Sequence, residues 1–256
     1  MRGISKYSFN VLPILYLSIS FCGLCLLAVL TLFVQLSVAS FPLQKPLVVT
    51  IFVIICFLGI LAGISPTRCS NIFDVKGFKN DSPYSSNSIG KGETKFDIVG
   101  HHPTCGKFTN HVISFANRTY CAGCTGLIAG AVTSILGSFL YFFVSPIDIT
   151  ICIQFFWLGF VLVLLAIFQH NLYILGKSSI HLFLNIIFPV GALFLVIGVN
   201  EITDNFFLDF FLFALIIYWI STRIILSKVE HRKICKDCDI VFCGISKKEK
   251  GHRLPE

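Results

Sequence analysis

The chain has 256 residues, of which 55% are hydrophobic and 13% are charged, and its mean hydropathy is +0.83. Soluble domains carry about 25% charged residues, so the composition excludes an ordinary soluble fold and indicates a protein that lies largely in lipid. The formal net charge of +7 does not indicate nucleic-acid binding, because basic loop residues orient a membrane protein in its bilayer. The 11 cysteines occur in small local groups and are too few for a disulfide scaffold.

Six apolar segments are long enough to be membrane-spanning helices, because about 20 apolar residues cross the hydrocarbon core. In chain order they cover residues 11–40, 46–65, 122–144, 149–169, 179–199 and 206–227. The first segment follows the basic residues Arg2 and Lys6 and ends in Val38-Ala39-Ser40, as a signal peptide does. Its apolar run of nearly 30 residues exceeds the roughly 7–15 of a signal sequence, so a retained helix is predicted.

The basic residues predict the orientation of these helices. An even number of spans places both termini on one side, and 19 of the 20 Lys and Arg residues fall on that side, whereas only Lys45 falls opposite. The opposite loops carry Asp148, Glu201 and Asp204. Because positive residues mark the cytoplasmic side, we expect a multi-pass protein of the cell membrane with both termini in the cytoplasm.

Composition along the chain predicts five parts. Residues 1–65 form two transmembrane helices, and residues 66–99, rich in Ser, Asn, Gly and Lys, form a flexible cytoplasmic linker. Residues 100–126 form a loop that bears Cys and His. Residues 122–227 form four further transmembrane helices, and residues 228–256 form a basic cytoplasmic tail with a cysteine cluster.

The loop at residues 100–126 holds the densest group of potential metal ligands, which are His101, His102, Cys105, His111, Cys121 and Cys124. Two half-sites, His102-x2-Cys105 and Cys121-x2-Cys124, are separated by 15 residues. Two close ligand pairs joined by a longer loop are typical of zinc sites, so zinc is the predicted cofactor. Residues 111–115 and 117–120 between the pairs predict a short hairpin.

The predicted cytoplasmic location supports metal binding over a disulfide, because cytoplasmic thiols stay reduced. Cys121 and Cys124 open the third helix, and a helix N-terminus stabilises the thiolate that binds metal. His101 and His111 exceed the four ligands of a closed site, so either is an alternative to His102 or a group that orients a ligand. No paired carboxylate adjoins the histidines, which favours a structural over a hydrolytic site.

The tail carries a second candidate site made of His231, Cys235, Cys238 and Cys243. His252 is an alternative fourth ligand. Since both groups are predicted on the same face of the membrane, one composite site is a further alternative. A solvated basic tail with incidental thiols remains the simplest competing interpretation.

Several polar or small residues lie in or beside the predicted spans. Gly126, Gly130 and Ser134 recur every four positions, a pattern that lets helices approach closely in lipid; internal packing is favoured, with a homodimer contact as the alternative. Asp209, the one acidic residue inside a predicted span, is expected at the membrane interface. Arg223 is expected to extend to the cytoplasmic surface.

Two further histidines flank the loop between the fourth and fifth predicted helices. His170 and His181 lie there at the cytoplasmic boundary. They are expected to be interfacial polar residues, and a contact with the cysteine site is the alternative.

Residues 101–131 resemble an uncharacterised family of prokaryotic, especially archaeal, membrane proteins named domain of unknown function 2085. The family's core is a His- and Cys-bearing loop followed by Cys-Ala-x-Cys-Thr-Gly at the start of a membrane helix, and residues 121–126 have that sequence. Where members often have Cys-His, this chain has His101-His102 and supplies Cys105 three residues later. The resemblance implies a Cys/His site beside a membrane helix and brings no activity with it.

The sequence therefore predicts an all-α integral membrane protein with about six transmembrane helices and a small cytoplasmic metal-binding loop. Its partners are the lipid bilayer and, if the small-residue face of the third helix is exposed, a second copy. The metal is expected to be structural or regulatory. A quinone-linked membrane thiol–disulfide oxidoreductase using Cys121 and Cys124 is the first alternative, and a metal ion transporter is the second.

Overall fold

The computed structural model describes residues 4–33, 43–64, 98–99, 111–115, 118–143, 147–170 and 177–236. Within these residues, six helices are long and apolar enough to cross a membrane. They are α1 (Ile4–Phe33), α2 (Gln44–Ile64), α3 (Ala122–Phe143), α4 (Ile149–Ile167), α5 (Ser178–Thr203) and α6 (Phe206–Lys236). The chain is thus an all-α integral membrane protein with six membrane-spanning helices, as predicted.

The last helix extends beyond its predicted end. The apolar-length rule placed that end at residue 227, whereas α6 continues to Lys236. The rule finds only the part of a helix that lies in hydrocarbon, and the added residues include the polar Lys228 and Glu230. This extension carries the carboxylate of Glu230 on a regular helix instead of in a tail.

Helix α5 lies at the centre of the bundle. Two thirds of its most apolar window (67%) is buried, compared with 22–39% for the other five helices. It packs most extensively against α4 and α3, while α2 packs on α3 and α1 packs on α6. A central helix is surrounded by protein instead of lipid, so polar side chains on α5 can be tolerated only where neighbouring helices offer hydrogen-bond partners.

The small-residue face of α3 lies against α5 of the same chain. Gly126, Gly130 and Ser134 are buried, and a Cβ atom added at Gly126 or Gly130 would lie 2.5 Å from the carbonyl oxygen of Leu182 or Ile186. Small residues at such a crossing bring two backbones into direct contact. The face that offered internal packing or a homodimer contact is therefore occupied by α5 within the monomer.

Tight connections fix the pairing of neighbouring helices at one end of the bundle. Asp204, with a left-handed φ of 44°, ends α5, and the side chain of Asn205 accepts hydrogen bonds from the backbone N–H groups of Phe207 and Leu208 at the start of α6. The exposed Asp148 caps α4 in the same way, and hydrogen bonding by Thr150 lowers the pKa of its carboxyl. These caps satisfy N–H groups that a helix start leaves unpaired.

A small three-stranded sheet lies at the opposite end, immediately before α3. Strands β2 (Val112–Phe115) and β3 (Arg118–Cys121) form the predicted antiparallel hairpin, with Val112 opposite Cys121. Strand β1 (Ile98–Val99), assigned to the linker from the sequence, pairs in parallel with β3 to give the order β1-β3-β2. Since β3 runs directly into α3, the hairpin is held at what we call the hairpin end of the bundle.

Candidate metal centre

The structure describes three of the six predicted ligands in the loop before α3. His111 immediately precedes β2, Cys121 ends β3, and Cys124 lies in the first turn of α3. His111 and Cys121 are buried, with 7% and 1% of their surface exposed, and Cys124 is half-buried. Because Val112 is the register partner of Cys121, the hairpin places the backbones of His111 and Cys121 side by side.

The remaining predicted ligands lie outside the described residues or have undescribed side chains. His101, His102 and Cys105 precede the hairpin, and Cys238, Cys243 and His252 follow α6. His231 and Cys235 fall within the backbone of α6. The tail site and the half-site His102-x2-Cys105 therefore stay predictions.

His111 meets two side chains that are distant in the sequence, His181 of α5 and Glu230 of α6. The nitrogen Nε2 of His111 lies 3.9 Å from Oε1 of Glu230, and the rings of His111 and His181 have centroids 4.8 Å apart at an interplanar angle of 33°. One potential ligand atom from each of the three residues falls within 4.8 Å of the other two. Three separate elements, the hairpin, α5 and α6, thus converge on one point.

The chemistry of this group suits a zinc ion. Imidazole nitrogen and carboxylate oxygen are ordinary zinc ligands at about 2.0–2.1 Å, so tetrahedral ligand atoms lie about 3.3 Å apart. The separations in the group, at most 4.8 Å, exceed this value by up to about 1.5 Å, which side-chain rotations can close. His111 and Glu230 are also largely shielded from water, with side-chain exposures of 8% and 13%, as a closed site requires.

Sequence reasoning anticipated only part of this group. The sequence predicts His111 as a ligand, and it predicts His181 as an interfacial residue with a contact to the site as the alternative. Glu230 was missed because residues after 227 were assigned to a tail. The available signal was helical spacing: Glu230 follows Arg223 by seven residues, which places both on one face of a continuous helix.

A partly buried hydrogen-bond network lies next to the group, towards the bundle interior. Nη2 of Arg223 donates to Oε1 of Gln169 at 3.2 Å and to Oδ1 of Asn185 at 2.5 Å, and its guanidinium lies 4.5 Å from the ring centroid of Phe188. The amide of Asn185 donates to the carbonyl oxygen of His181. Arg223 is half-buried between α4, α5 and α6, and it links α6 to the turn of α5 that carries His181. Its extension to the cytoplasmic surface stays a prediction.

A second polar cluster occupies the end of the bundle opposite the hairpin. Asp209, expected at the interface, is 1% exposed. Its Oδ2 accepts hydrogen bonds from the amides of Gln44 and Asn200, both at 2.9 Å. Asp209 lies in the first turn of α6, so its depth near the membrane interface stays a prediction, whereas its burial follows from the helices that α6 packs against. This cluster contributes nothing to the metal centre, because it lies at the other end of α5.

Fold and site together define a six-helix integral membrane protein with a partly buried His–Glu group where its hairpin meets the bundle. Comparison with protein-family models, with curated proteins and with solved structures found no match to the chain.

Proposed function

We propose that this protein is a polytopic membrane protein in which one zinc ion, held by His111, His181 and Glu230, ties the hairpin to the bundle. The observation that carries the proposal is the convergence of three ligand-type atoms within 4.8 Å from three separate elements. The ion would be structural or regulatory, because it would join a short sheet with no core of its own to two packed helices.

The proposed site faces the cytoplasm, and a tetrahedral zinc ion there would take a fourth ligand. The excess of basic residues in the segments at the hairpin end supports this orientation. Cys121 is the first candidate for the fourth ligand, because a Cβ atom added at Gly123 would lie 3.8 Å both from Sγ of Cys121 and from Nδ2 of Asn185, the residue one helical turn after His181. Cys124 and the residues His101, His102 and Cys105 are further candidates. We also propose that the chain belongs to the family that residues 101–131 resemble.

The two alternative functions receive less support. A thiol–disulfide oxidoreductase needs an accessible attacking thiolate, and Cys121 is 1% exposed. A metal transporter needs a polar path between the two ends of the bundle. Between the two polar clusters lie apolar residues that are at most 2% exposed, which are Leu195, Val196, Leu212, Ile216 and Trp219.

The metal content of purified protein tests the proposal. We expect about one zinc per chain in the wild type and a loss of zinc in His181→Ala and Glu230→Gln. Groups that merely orient a metal ligand change metal affinity by about 10–100-fold, so loss of a ligand itself is expected to lower zinc affinity by more than about 100-fold. Elemental analysis after gel filtration in detergent measures this.

Glu201→Gln is the matched control for Glu230→Gln. Glu201 is also a glutamate near a helix end, but it bonds to Lys45 and Tyr141 at the other end of the bundle. It should keep its zinc. Wild-type protein that contains no zinc, or equal zinc in all variants, contradicts the proposal and leaves His111 and Glu230 as an ion pair.

A further inference from the structure

The cluster opposite the hairpin joins four helices through one chain of hydrogen bonds. Asn200 of α5 donates through Nδ2 to Asp209 of α6 at 2.9 Å, and its Oδ1 lies 2.7 Å from the hydroxyl of Tyr141 in α3. That hydroxyl also lies 2.8 Å from Oε1 of Glu201. Lys45 of α2 completes the chain by donating to the same Oε1 at 3.2 Å.

The charges of this cluster do not balance. Asp209 and Glu201 supply two negative charges when ionised, and Lys45 supplies one positive charge, so the net charge is −1. Lys45 pairs with Glu201, which leaves Asp209 without a cationic partner among the described residues. A buried ionised carboxylate without such a partner is strongly disfavoured, and it neutralises itself by taking up a proton. The charge count therefore calls for one more proton or cation.

The hydrogen-bond contacts of this cluster also need one more hydrogen than its groups supply when both carboxylates are ionised. A tyrosine hydroxyl has a single hydrogen, but the Tyr141 oxygen lies within 2.8 Å of two acceptors, the amide oxygen of Asn200 and the carboxylate of Glu201. With both carboxylates ionised, one of these two contacts has no hydrogen. In addition, Oδ1 of Asp209 is buried and has no hydrogen-bond partner in the described part of the chain.

One proton on Asp209 resolves this shortage if the amide of Asn200 turns over. The protonated carboxyl of Asp209 then donates to Oδ1 of Asn200, Nδ2 of Asn200 donates to the Tyr141 oxygen, and the Tyr141 hydroxyl donates to Glu201. An amide can turn over because its oxygen and nitrogen ends have nearly the same shape. Every contact in the chain then has one hydrogen, and the net charge of the cluster becomes zero.

We propose that this cluster is a proton-binding site, in which Asp209 carries the proton and the Asn200 amide reverses to accept its hydrogen bond. Its route to water is the Lys45–Glu201 pair, whose side chains are 24% and 23% exposed. Binding takes a proton from solvent and forms an O–H bond on Asp209. The Tyr141 hydroxyl keeps its hydrogen but rotates, so that it donates to Glu201 instead of to Asn200. The chain thus connects a buried acid to a surface ion pair.

The other charged or titratable groups around the site do not supply the missing hydrogen. Those that interact with Asp209 or Tyr141 from the surrounding elements are Lys45 of α2, Cys152 of α4, Glu201 of α5 and Asp204 of the α5–α6 turn. Gln44 already donates to Asp209. Asp204 adds a further negative charge near Asp209, which favours uptake of a proton.

Infrared spectroscopy of purified full-length protein tests this proposal. We expect the carbonyl stretch of one protonated carboxylic acid, decreasing as the pH is raised, and absent from Asp209→Asn. Asp148→Asn is the control, because Asp148 is an exposed acid at the same end of the bundle, and its spectrum should keep the band. Tyr141→Phe, which retains Asp209, should keep the band but shift its frequency, because Asn200 loses its hydroxyl partner.

Three results would overturn the proposal. One is a wild-type spectrum without the band, which would mean that Asp209 is ionised and accepts a hydrogen bond from an ordered water instead. Another is a band unchanged in both Asp209→Asn and Tyr141→Phe. The third is loss of the band on adding sodium chloride at constant pH, since this would identify a site for a metal cation. If Asp209→Asn does not fold, the frequency shift in Tyr141→Phe decides the outcome.

Discussion

Replacing Gly130 by alanine is expected to destabilise the bundle by about 1–3 kcal/mol, the usual effect of overpacking a closely packed site. The added Cβ would lie 2.5 Å from the carbonyl oxygen and 3.0 Å from the Cα of Ile186. Both atoms belong to the backbone of α5, so no side-chain rotation can relieve the contact. Thermal unfolding in detergent, followed by circular dichroism, measures the loss as a lower melting temperature.

Gly59→Ala provides the matched control for this prediction. Gly59 also lies inside a membrane-spanning helix, but a Cβ there would meet nothing within 4 Å. Alanine in a helix is favoured over glycine by about 1 kcal/mol, so this variant should be as stable as the wild type or slightly more stable. Equal melting temperatures for the two alanine variants would contradict the close approach of α3 to α5.

Replacing Arg223 by methionine is the second change with a large expected effect. It removes both hydrogen bonds that Arg223 donates, to Gln169 and to Asn185. A buried acceptor left without a donor costs about 1–3 kcal/mol; since Gln169 and Asn185 are only partly buried, the two together are expected to lower the free energy of unfolding by about 1–3 kcal/mol. Because Asn185 also bonds the carbonyl oxygen of His181, zinc affinity should fall as well.

Arg223→Lys separates the charge from the geometry. Lysine keeps the positive charge but lacks the planar fork that reaches two acceptors at once. It should therefore be intermediate between wild type and Arg223→Met in chemical-denaturant or thermal unfolding. A fully stable Arg223→Met variant would show that the guanidinium lies at the membrane surface, as the sequence alone predicts.

The six helices were predictable because crossing a bilayer imposes a length and a composition that a single sequence reveals. The starts of α3, α4 and α6 agree with the prediction, since Ala122 follows the end of strand β3 and Ile149 and Phe206 follow the capping residues Asp148 and Asn205. The hairpin was predictable for a related reason, as a short segment lies between two pairs of potential ligands, His102/Cys105 and Cys121/Cys124. Such signals are local, and each can be read from neighbouring residues.

The contacts between helices could not be predicted in this way. The convergence of His111, His181 and Glu230 depends on how α5 and α6 are rotated about their axes and on which helix lies at the centre. The burial of Asp209 depends on Gln44 and Asn200, which come from two other helices. Hydropathy gives the depth of a residue along its own helix, but not the neighbours that face it.

The small-residue pattern of α3 shows the same difference between what a local pattern predicts and what only the packed helices reveal. Spacing of Gly126 and Gly130 predicted a close helix contact, and the structure supplies its partner, the backbone of α5 at Leu182 and Ile186. A regular pattern therefore indicates that a face packs closely, whereas only the assembled bundle tells which surface it packs against.

X-ray absorption at the zinc edge of purified wild-type protein tests the central claim most directly, because it identifies the atoms bound to the metal. A site built on His111, His181 and Glu230 predicts nitrogen and oxygen ligands at about 2.0–2.1 Å and at most one sulfur at about 2.3 Å. A metal with two or more sulfur ligands would contradict this account and place the zinc on the cysteines that the sequence predicts as ligands, such as Cys121 and Cys124, instead.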